Sequence, residues 1–201
     1  MKRYTKNQIK ELTKILKNDG VISVPTDTVF GICGSIKSKK AQEKLKSIKE
    51  RPASKPFPIM CADIDQIKSI TMIDNKSEKI IRELMPGPIT IVLRKNSQLP
   101  EYINSGKETI AIRMATSNEL KELIKILGCP VFMTSANKSG EEVCKTLDDI
   151  ERKCPDLDGM LEGNVSFGQA STIVDCTSNE IKILRKGPIS EDEIIKALNK
   201  T

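Results

Sequence analysis

The amino-acid sequence predicts an α/β fold with a mixed sheet, and three features of the chain support this. Short apolar runs typical of strands alternate with apolar residues at helical spacing from end to end. Two pairs of neighbouring runs have no helix between them, 89–93 with 109–112 and 171–175 with 181–184, so the sheet is not purely parallel. No repeat, low-complexity tract or long linker divides the chain, so we expect residues 1–201 to form one domain.

The predicted helices have apolar residues three or four positions apart, and most follow a polar residue that can cap the first turn. Thr5 and Gln8 have the spacing of a capping box, and Gly20 is predicted to end the first helix. Thr116 and Glu119 have the same capping-box spacing. The predicted helices lie between Thr5 and Gly20, Ser38 and Glu50, Asp63 and Ile70, Asn75 and Leu84, Thr116 and Gly128, Thr146 and Lys153, and after Ser190.

The predicted strands are short apolar runs bounded by proline, glycine or polar residues. They are 21–24, 57–61, 89–93, 109–112, 130–133, 171–175 and 181–184. A turn containing Ser178 and Asn179 is predicted between the last two strands. The stretch 96–107 shows no periodicity, so we expect an irregular and mobile loop there.

The composition excludes several kinds of site and membrane segment. The chain has no histidine, which rules out a Ser-His-Asp triad and a Cys-His dyad and removes the commonest metal ligand. None of the six cysteines has C-x-x-C spacing, so we expect reduced, structural cysteines and no protein metal site. No apolar run approaches the roughly 18 residues of a membrane helix. Because the N-terminus also lacks a leader-like run, we expect a cytoplasmic protein without a membrane partner.

Polar groups recur at the ends of the predicted strands. The segment 134–140, Thr-Ser-Ala-Asn-Lys-Ser-Gly, offers hydroxyl and amide groups and no carboxylate. The segment 25–31 adds hydroxyl groups, and 49–52 adds two cations. Taken singly, each is typical of a polar turn or a surface cation. If they lie on one side of the sheet, where ligands of α/β proteins collect, they form a cleft suited to a polyphosphate or an α-carboxylate.

The overall charge favours an anionic partner, but no common nucleotide motif is present. The formal net charge is +6, which suits nucleotides or RNA. Neither G-x-x-x-x-G-K-[ST] nor G-x-G-x-x-G occurs, so a nucleotide would have to bind without these loops.

The same segments resemble, in order, the motifs of the YrdC-like family of L-threonylcarbamoyladenylate synthases. Pro-Thr-Asp-Thr-Val-Phe-Gly at 25–31 is similar to the family's Pro-Thr-Glu-Thr-Val-Tyr-Gly. Lys-Glu-Arg-Pro at 49–52 and Ser-Ala-Asn-Lys-Ser-Gly at 135–140 resemble its K-x-R and S-x-N patterns. Ser-Thr-Ile-Val-Asp at 171–175 and Leu-Arg-Lys-Gly at 184–187 complete the series.

The resemblance implies an open, twisted sheet around a large, concave, positively charged cleft. It implies a reaction of L-threonine, bicarbonate and ATP that gives threonylcarbamoyl-AMP and pyrophosphate. This product supplies the t⁶A modification of tRNAs that read codons beginning with A, so a threonylcarbamoyl transferase complex and tRNA are the expected downstream partners. The chain resembles the short, single-domain form of the family, without the extra C-terminal domain of longer members.

The resemblance also implies roles for particular residues. Those implied for L-threonine are Thr28, Arg113, Met133 and Ser171. Those implied for ATP and pyrophosphate are Arg51, Lys55, Thr109, Ser135, Asn137 and Arg185. Those implied as catalytic are Lys49, Arg51, Ser135 and Asn137. Mg²⁺ is expected to enter with the ATP, and no protein ligand is assigned to it.

Two positions depart from the family pattern, and one chemical role is open. Met60 stands where some relatives have a histidine near the threonine, and Phe30 replaces the usual tyrosine, with a ring that could still pack on the substrate. In the implied reaction every nucleophile belongs to a substrate, so the protein contributes orientation and charge. The base that takes the proton from the threonine amine is not identified. Asp27 is near in the chain, and a turn or N-cap role suits it equally.

Three other interpretations are compatible with parts of the sequence. An RNA-binding module without catalysis would use the basic cleft, although only 3% of residues are aromatic and no RNA-binding motif occurs. An enzyme acting on carbamoyl phosphate is the second, because similar domains occur within larger carbamoyltransferases. A purely structural α/β protein is the third, and it leaves the ordered series of motifs unexplained.

Overall fold

One mixed sheet with helices on both faces forms the protein, so the predicted fold class is confirmed. The computed structural model describes residues 1–165, 169–178 and 180–200. The strands are β1 (Arg3–Tyr4), β2 (Val21–Val24), β3 (Gly31–Ser35), β4 (Ile59–Cys61), β5 (Thr71–Met72), β6 (Ile89–Lys95), β7 (Thr109–Met114), β8 (Val131–Ser135), β9 (Gly159–Leu161), β10 (Thr172–Asp175) and β11 (Lys182–Arg185). The α-helices are α1 (Ile9–Lys17), α2 (Lys39–Lys49), α3 (Ile64–Ile70), α4 (Asn75–Leu84), α5 (Asn118–Leu127), α6 (Leu147–Lys153) and α7 (Glu191–Asn199).

The strand order across the sheet is β1-β9-β2-β3-β8-β4-β7-β6-β10-β11, with β5 beside β6. The pairs β1/β9, β2/β9, β4/β7 and β6/β10 are parallel, and the other pairs are antiparallel. The two pairs predicted to lack a helix, β6 with β7 and β10 with β11, are antiparallel neighbours as expected. The sheet is therefore mixed, with six antiparallel and four parallel strand pairs among the described residues.

Four strands were not predicted, and shortness or glycine content explains each. β1, β5 and β9 contain only two or three residues, too few for a visible alternation. β3 contains Gly31 and Gly34, which lowers its strand propensity. Helix α2 requires Gly34, because a Cβ there would lie 2.9 Å from the Cβ of Ala41.

Two predicted helix ends are wrong, by two residues at the end of α1 (C-cap Asn18) and by one at the start of α5, and the predicted irregular stretch contains a short helix. Asp19, not Gly20, adopts the left-handed conformation after α1, with φ of 64°. Ser117, not Thr116, caps α5, since its side chain accepts from the Leu120 N–H. Within 96–107 a 3₁₀ turn covers Glu101–Asn104, and the predicted turn residue Asn179 lies outside the described residues.

Two apolar clusters fill the two faces of the sheet. Neighbouring residues of a strand alternate between them, as Val21 and Ile22 do in β2. Helices α1 and α5 cover one face, and α2, α3, α4, α6 and α7 cover the other. The six cysteines are free and buried within these clusters. Among the described residues, no helix combines the length and apolar character that crossing a membrane requires.

Replacing Leu45 with alanine should destabilise the protein by about 2–5 kcal/mol, because Leu45 is fully buried between α2 and β3. Leu184→Ala is the matched control, since Leu184 is 58% exposed and its loss should change the free energy of unfolding by less than about 0.5 kcal/mol. Urea unfolding of both variants measures the difference. Equal unfolding midpoints for the two variants would contradict the described packing of α2.

Candidate functional site

A cleft of about 400 Å³ on the face of the sheet collects most of the polar residues that the sequence singled out. Its lining includes Thr28, Lys49, Arg51, Lys55, Arg113, Met133, Ser135, Asn137, Ser171 and Arg185. The same lining contains five cationic side chains and no carboxylate among the described residues. A cleft with this lining suits an anionic ligand.

The cleft residues do not all come from one edge of the sheet, contrary to the expectation from strand ends. The register pairs Arg113 with Met60, and Met60 with Val131, which lies four residues before Ser135. Ser135 and Arg113 therefore differ in level by about 13 Å along the strand direction. The cleft lies across the face of the sheet and not along one row of strand ends.

The side chain of Lys49 is buried at the end of α2 and binds the segment after β8. Its Nζ donates to the backbone oxygen of Ser135 at 2.8 Å and to Asn137 Oδ1 at 2.8 Å. The hydroxyl of Ser135 also donates to Asn137 Oδ1, at 2.6 Å. Lys49 is only 2% exposed, so these hydrogen bonds replace its water shell.

The local backbone explains why Lys49 points at this loop. Glu50 ends α2 in the left-handed conformation, with φ of 49°, and turns the chain back across the loop. The N–H of Ser139 then donates to the carbonyl oxygen of Lys49 at 2.8 Å. Asn137 is held from the other side, since its Nδ2 donates to the backbone oxygens of Lys138 and Glu141. The helix end and the loop are thus bound to each other at several points.

Lys49 has an unusual acidity for a lysine. Burial, and to a smaller extent the charge of Arg51, lowers its pKa to about 8. An anionic ligand in the cleft would oppose both effects, because a negative charge favours the protonated amine.

Arg51 and Lys55 form the entrance of the cleft next to Lys49. Arg51 donates through Nε to the backbone oxygen of Lys55 at 3.0 Å and through a terminal nitrogen to that of Pro56 at 2.8 Å. Its guanidinium lies 5.0 Å from the centre of the Phe57 ring. Burial lowers the pKa of Arg51, and Lys55 is exposed. Arg51 is therefore fixed in place, whereas Lys55 points into solvent.

Arg113 and the loop between β2 and β3 form the inner part of the cleft. Arg113 donates to Thr28 Oγ1 at 3.1 Å and to Asp27 Oδ1 at 2.6 Å. Burial lowers the pKa of Arg113, and the charge of Asp27 acts in the opposite direction. The sequence did not identify Asp27 as the partner of Arg113, because the two residues are 86 positions apart.

Ser171 joins two further side chains of the cleft, Thr90 and Arg185. Its hydroxyl shares a hydrogen bond of 2.7 Å with Thr90 Oγ1. Arg185 donates to the hydroxyl of Ser171 at 3.2 Å and to its carbonyl oxygen at 3.0 Å. Burial lowers the pKa of Arg185, and the nearby charge of Arg113 lowers it further. An anion between these two arginines would relieve their repulsion.

Three residues of the sequence analysis do not line the cleft. Thr109 begins β7, about 13 Å along the strand from Arg113, and its carbonyl accepts from Asn104 at 3.0 Å. Phe30 and Met60 are buried in the apolar clusters, 3% and 1% exposed. Thr90 does line the cleft, and the sequence missed it because it lies inside an apolar strand.

A second hollow of about 600 Å³ lies on the other side of Thr26 and Asp27. Its lining includes the carboxylates of Asp27, Glu119 and Glu162 and the amine of Lys6. Because negative charge dominates there, this hollow suits a polyphosphate less well than the cleft around Lys49.

The described residues do not provide a site for Mg²⁺. They contain no group of three or more Cys, Asp or Glu side chains placed to hold a metal ion. The described lining of the cleft has no carboxylate, the ligand that Mg²⁺ prefers.

Fold and site together define an α/β protein whose cleft suits both a polyphosphate and a small carboxylate. A protein-family model described as "Telomere recombination", for Sua5, YciO and YrdC, matches residues 14–187. The chain belongs to the Sua5/YciO/YrdC family.

Individual relatives give the same result. A protein of Methanocaldococcus jannaschii is 31% identical over 186 residues, which cover 92% of this chain and 87% of that protein. Threonylcarbamoyl-AMP synthase of Bacillus subtilis is 31% identical over 194 residues, 93% of this chain and 55% of that protein. A structure of Sua5 from Pyrococcus abyssi superposes with a TM-score of 0.91 at 25% identity and covers 98% of this chain and 60% of the other. The chain thus spans little more than half of these two longer relatives.

Inorganic pyrophosphate should bind this cleft, and Arg185→Ala should weaken the binding about tenfold, as expected for a charge-assisted hydrogen bond. Arg82→Ala is the control, because Arg82 lies on the exposed face of α4 and pairs with Glu78. Titration calorimetry measures both affinities. Equal weakening by the two substitutions would mean that pyrophosphate binds through general charge and not in the cleft.

Proposed function

We propose that the protein is an L-threonylcarbamoyladenylate synthase, which joins L-threonine, bicarbonate and ATP into threonylcarbamoyl-AMP and pyrophosphate. The observation that carries this proposal is that a single cleft holds the Lys49, Ser135 and Asn137 cluster between a carboxylate-binding arginine and a group of phosphate-binding cations. The name of the Bacillus subtilis relative, threonylcarbamoyl-AMP synthase, supports it. The activity is therefore a nucleotidyl transfer.

The inner part of the cleft is suited to the amino acid. Arg113 offers a guanidinium for the α-carboxylate, Thr28 binds this guanidinium, and the hydroxyl of Ser171 lines the same cleft. Met133 adds an apolar surface from β8. The Pyrococcus abyssi Sua5 has been solved in complex with L-threonine, which supports the choice of amino acid.

The outer part of the cleft is suited to the triphosphate. Arg51, Lys55 and Arg185 supply charge for the phosphates, and Ser135 and Asn137 supply hydrogen-bonding groups. Thr109 is not part of this set, because it does not line the cleft. Mg²⁺ enters with ATP as part of the substrate.

The proposed chemistry requires no nucleophile from the protein. The threonine amine attacks bicarbonate and forms a carbamate with loss of water. An oxygen of the carbamate then attacks the α-phosphate of ATP, and pyrophosphate leaves. Lys49 and Arg51 stabilise the charge that accumulates on the leaving pyrophosphate. A chain without histidine can do this, since its contribution is orientation and charge.

The product would be passed to a threonylcarbamoyl transferase complex that modifies tRNA, and the cytoplasm is the compartment that suits this role. The RNA-binding alternative is not favoured, because the relatives are named for the synthase activity. The described lining of the cleft, which has no carboxylate, and the buried Lys49 cluster also suit a compact polyphosphate better than an extended RNA backbone.

Pyrophosphate release from ATP tests the proposal. Release should require both L-threonine and bicarbonate, because the carbamate forms from the two together. Omitting either in turn, with Mg²⁺ present and the protein folded, measures this requirement. ATP turnover that is independent of threonine, or strong salt-sensitive RNA binding without turnover, would overturn the assignment.

Lys49→Ala should reduce turnover about a hundredfold or more, in line with the loss of other electrostatic donors. Lys138→Ala is the matched control: Lys138 belongs to the same loop, but its amine is exposed and pairs with Glu50 at 2.5 Å. Steady-state pyrophosphate release measures both variants. Unchanged turnover in Lys49→Ala would contradict the role of Lys49.

The pH dependence should follow the charge of Lys49. Its pKa is lowered to about 8, so the free enzyme loses this cation as the pH rises through that value. At saturating threonine and bicarbonate, kcat/KM for ATP should therefore fall above pH 8. Lys49→Arg should remove this fall, because an arginine stays charged. If kcat/KM of the Lys49→Arg variant falls with the same midpoint, the fall belongs to the titration of another group.

A further inference from the structure

The ion pair between Asp27 and Arg113 is unusually buried. The two side chains are 12% and 9% exposed, and Oδ1 of Asp27 lies 2.6 Å from a terminal nitrogen of Arg113. A typical surface pair of this protein, Glu78 with Arg82, is 30% and 63% exposed. Buried ion pairs gain little stability over apolar residues of similar size, because both charges must be desolvated. The pair therefore calls for an explanation other than stability.

The position of the pair in the sheet supplies that explanation. Asp27 lies in the loop after β2, and Arg113 lies near the end of β7, four strands further along the sheet. The sheet curls enough for the loop to reach β7, and Asp27 and Thr28 both bind the guanidinium there. A third acceptor, the carbonyl oxygen of Gly87, lies 3.4 Å from the same guanidinium. The loop thus determines where the guanidinium of Arg113 sits.

Asp27 approaches Arg113 from outside the cleft. Thr28 and Arg113 line the cleft, whereas Asp27 lines the second hollow behind it. Asp27 Oδ2 and Arg113 Nε have no hydrogen-bond partner among the described residues. Asp27 therefore compensates the charge of the Arg113 guanidinium on one side and leaves the other side of the guanidinium open to the cleft.

We propose that Asp27 is a positioning residue for the amino-acid half of the cleft: it fixes the Arg113 guanidinium in the orientation that receives the α-carboxylate of the substrate, without contacting the substrate. This inference rests on the proposed function. It assigns Asp27 a role other than that of the base for the substrate amine. Asp27 binds the Arg113 guanidinium at 2.6 Å and lines the hollow behind the cleft, so it does not face the place of the substrate amine.

The test compares Asp27→Asn and Asp27→Glu with the wild type in the pyrophosphate-release assay. Asp27→Asn keeps the size of the side chain and removes its charge, so the KM for threonine should rise about tenfold, as for a lost charged hydrogen bond. The KM for ATP should stay within about twofold, because Asp27 does not face the phosphate-binding cations. Asp27→Glu keeps the charge, so its KM for threonine should lie between the other two values.

Asp148→Asn is the matched control, since Asp148 also pairs with an arginine, Arg3, but on the surface and away from the cleft. Its two KM values should equal those of the wild type. Equal rises of both KM values in the Asp27 variants would show a structural role and overturn the proposal. A fall in kcat with an unchanged KM for threonine would also overturn it, because that result identifies Asp27 as the base. If Asp27→Asn does not fold, the same comparison with Asp27→Glu decides.

Direct binding separates this inference from the proposed function. Calorimetry with L-threonine alone should show weaker binding to Asp27→Asn than to the wild type, whether or not pyrophosphate is released. Failure of the wild type to release pyrophosphate, with this difference in threonine binding preserved, would reject the proposed reaction and keep the role of Asp27. Equal threonine affinities would reject the role of Asp27 alone.

Discussion

A buried ammonium group without a carboxylate partner among the described residues is the constraint on which the cleft depends. Lys49 is 2% exposed, and its hydrogen-bond partners are the backbone oxygen and hydroxyl of Ser135 and the amide oxygen of Asn137. Neutral oxygens replace the water that burial removes, but they do not cancel the charge. The remaining positive potential is directed at the cleft, where Arg51 adds to it. Burial first, and the charge of Arg51 second, lower the pKa of Lys49.

The same principle extends to the other cations. Arg113 and Arg185 repel each other across Ser171, and Asp27 compensates only one of them, from behind. The positive charge of the cleft is thus left for the ligands to neutralise. Neutralising this positive charge lowers the free energy, so the cleft binds anions in preference to neutral ligands. Negative charge that develops during a reaction is stabilised most by cations that are already oriented. An α-carboxylate and a polyphosphate together supply the missing negative charge.

How far the sequence predicted the structure depended on whether a feature is local. The helices followed from spacing and caps, and the error at α5, Ser117 for Thr116, arose because two adjacent hydroxyl residues can both cap. The strands β1, β5 and β9 are too short to show a period and exist only because neighbouring strands pair with them. The order of the sheet could not be read from the chain at all.

The same distinction between local and long-range features applies to the residues of the site. The residue types that line the cleft were identified from polar segments and from the resemblance, but their contacts depend on register. Taken singly, Lys49 had the character of a surface cation, whereas its amine is buried and binds residues 86 and 88 positions away. Asp27 and Thr90 were missed as partners of Arg113 and Ser171 for the same reason. Thr109 was included because of the resemblance, and its absence from the described lining of the cleft could not be read from the sequence.

A single strand sets the distance between the two halves of the cleft. Met133 and Ser135 are two residues apart on β8, so both face the cleft, about 7 Å from each other. Met133 borders the inner part, which we propose for the amino acid, and Ser135 belongs to the Lys49 cluster in the outer part. β8 is paired on both sides, with β3 and β4, which makes this spacing rigid. Because every nucleophile of the proposed reaction belongs to a substrate, the rate depends on how well the two bound molecules are held at reacting distance. A central strand controls that distance better than a loop would.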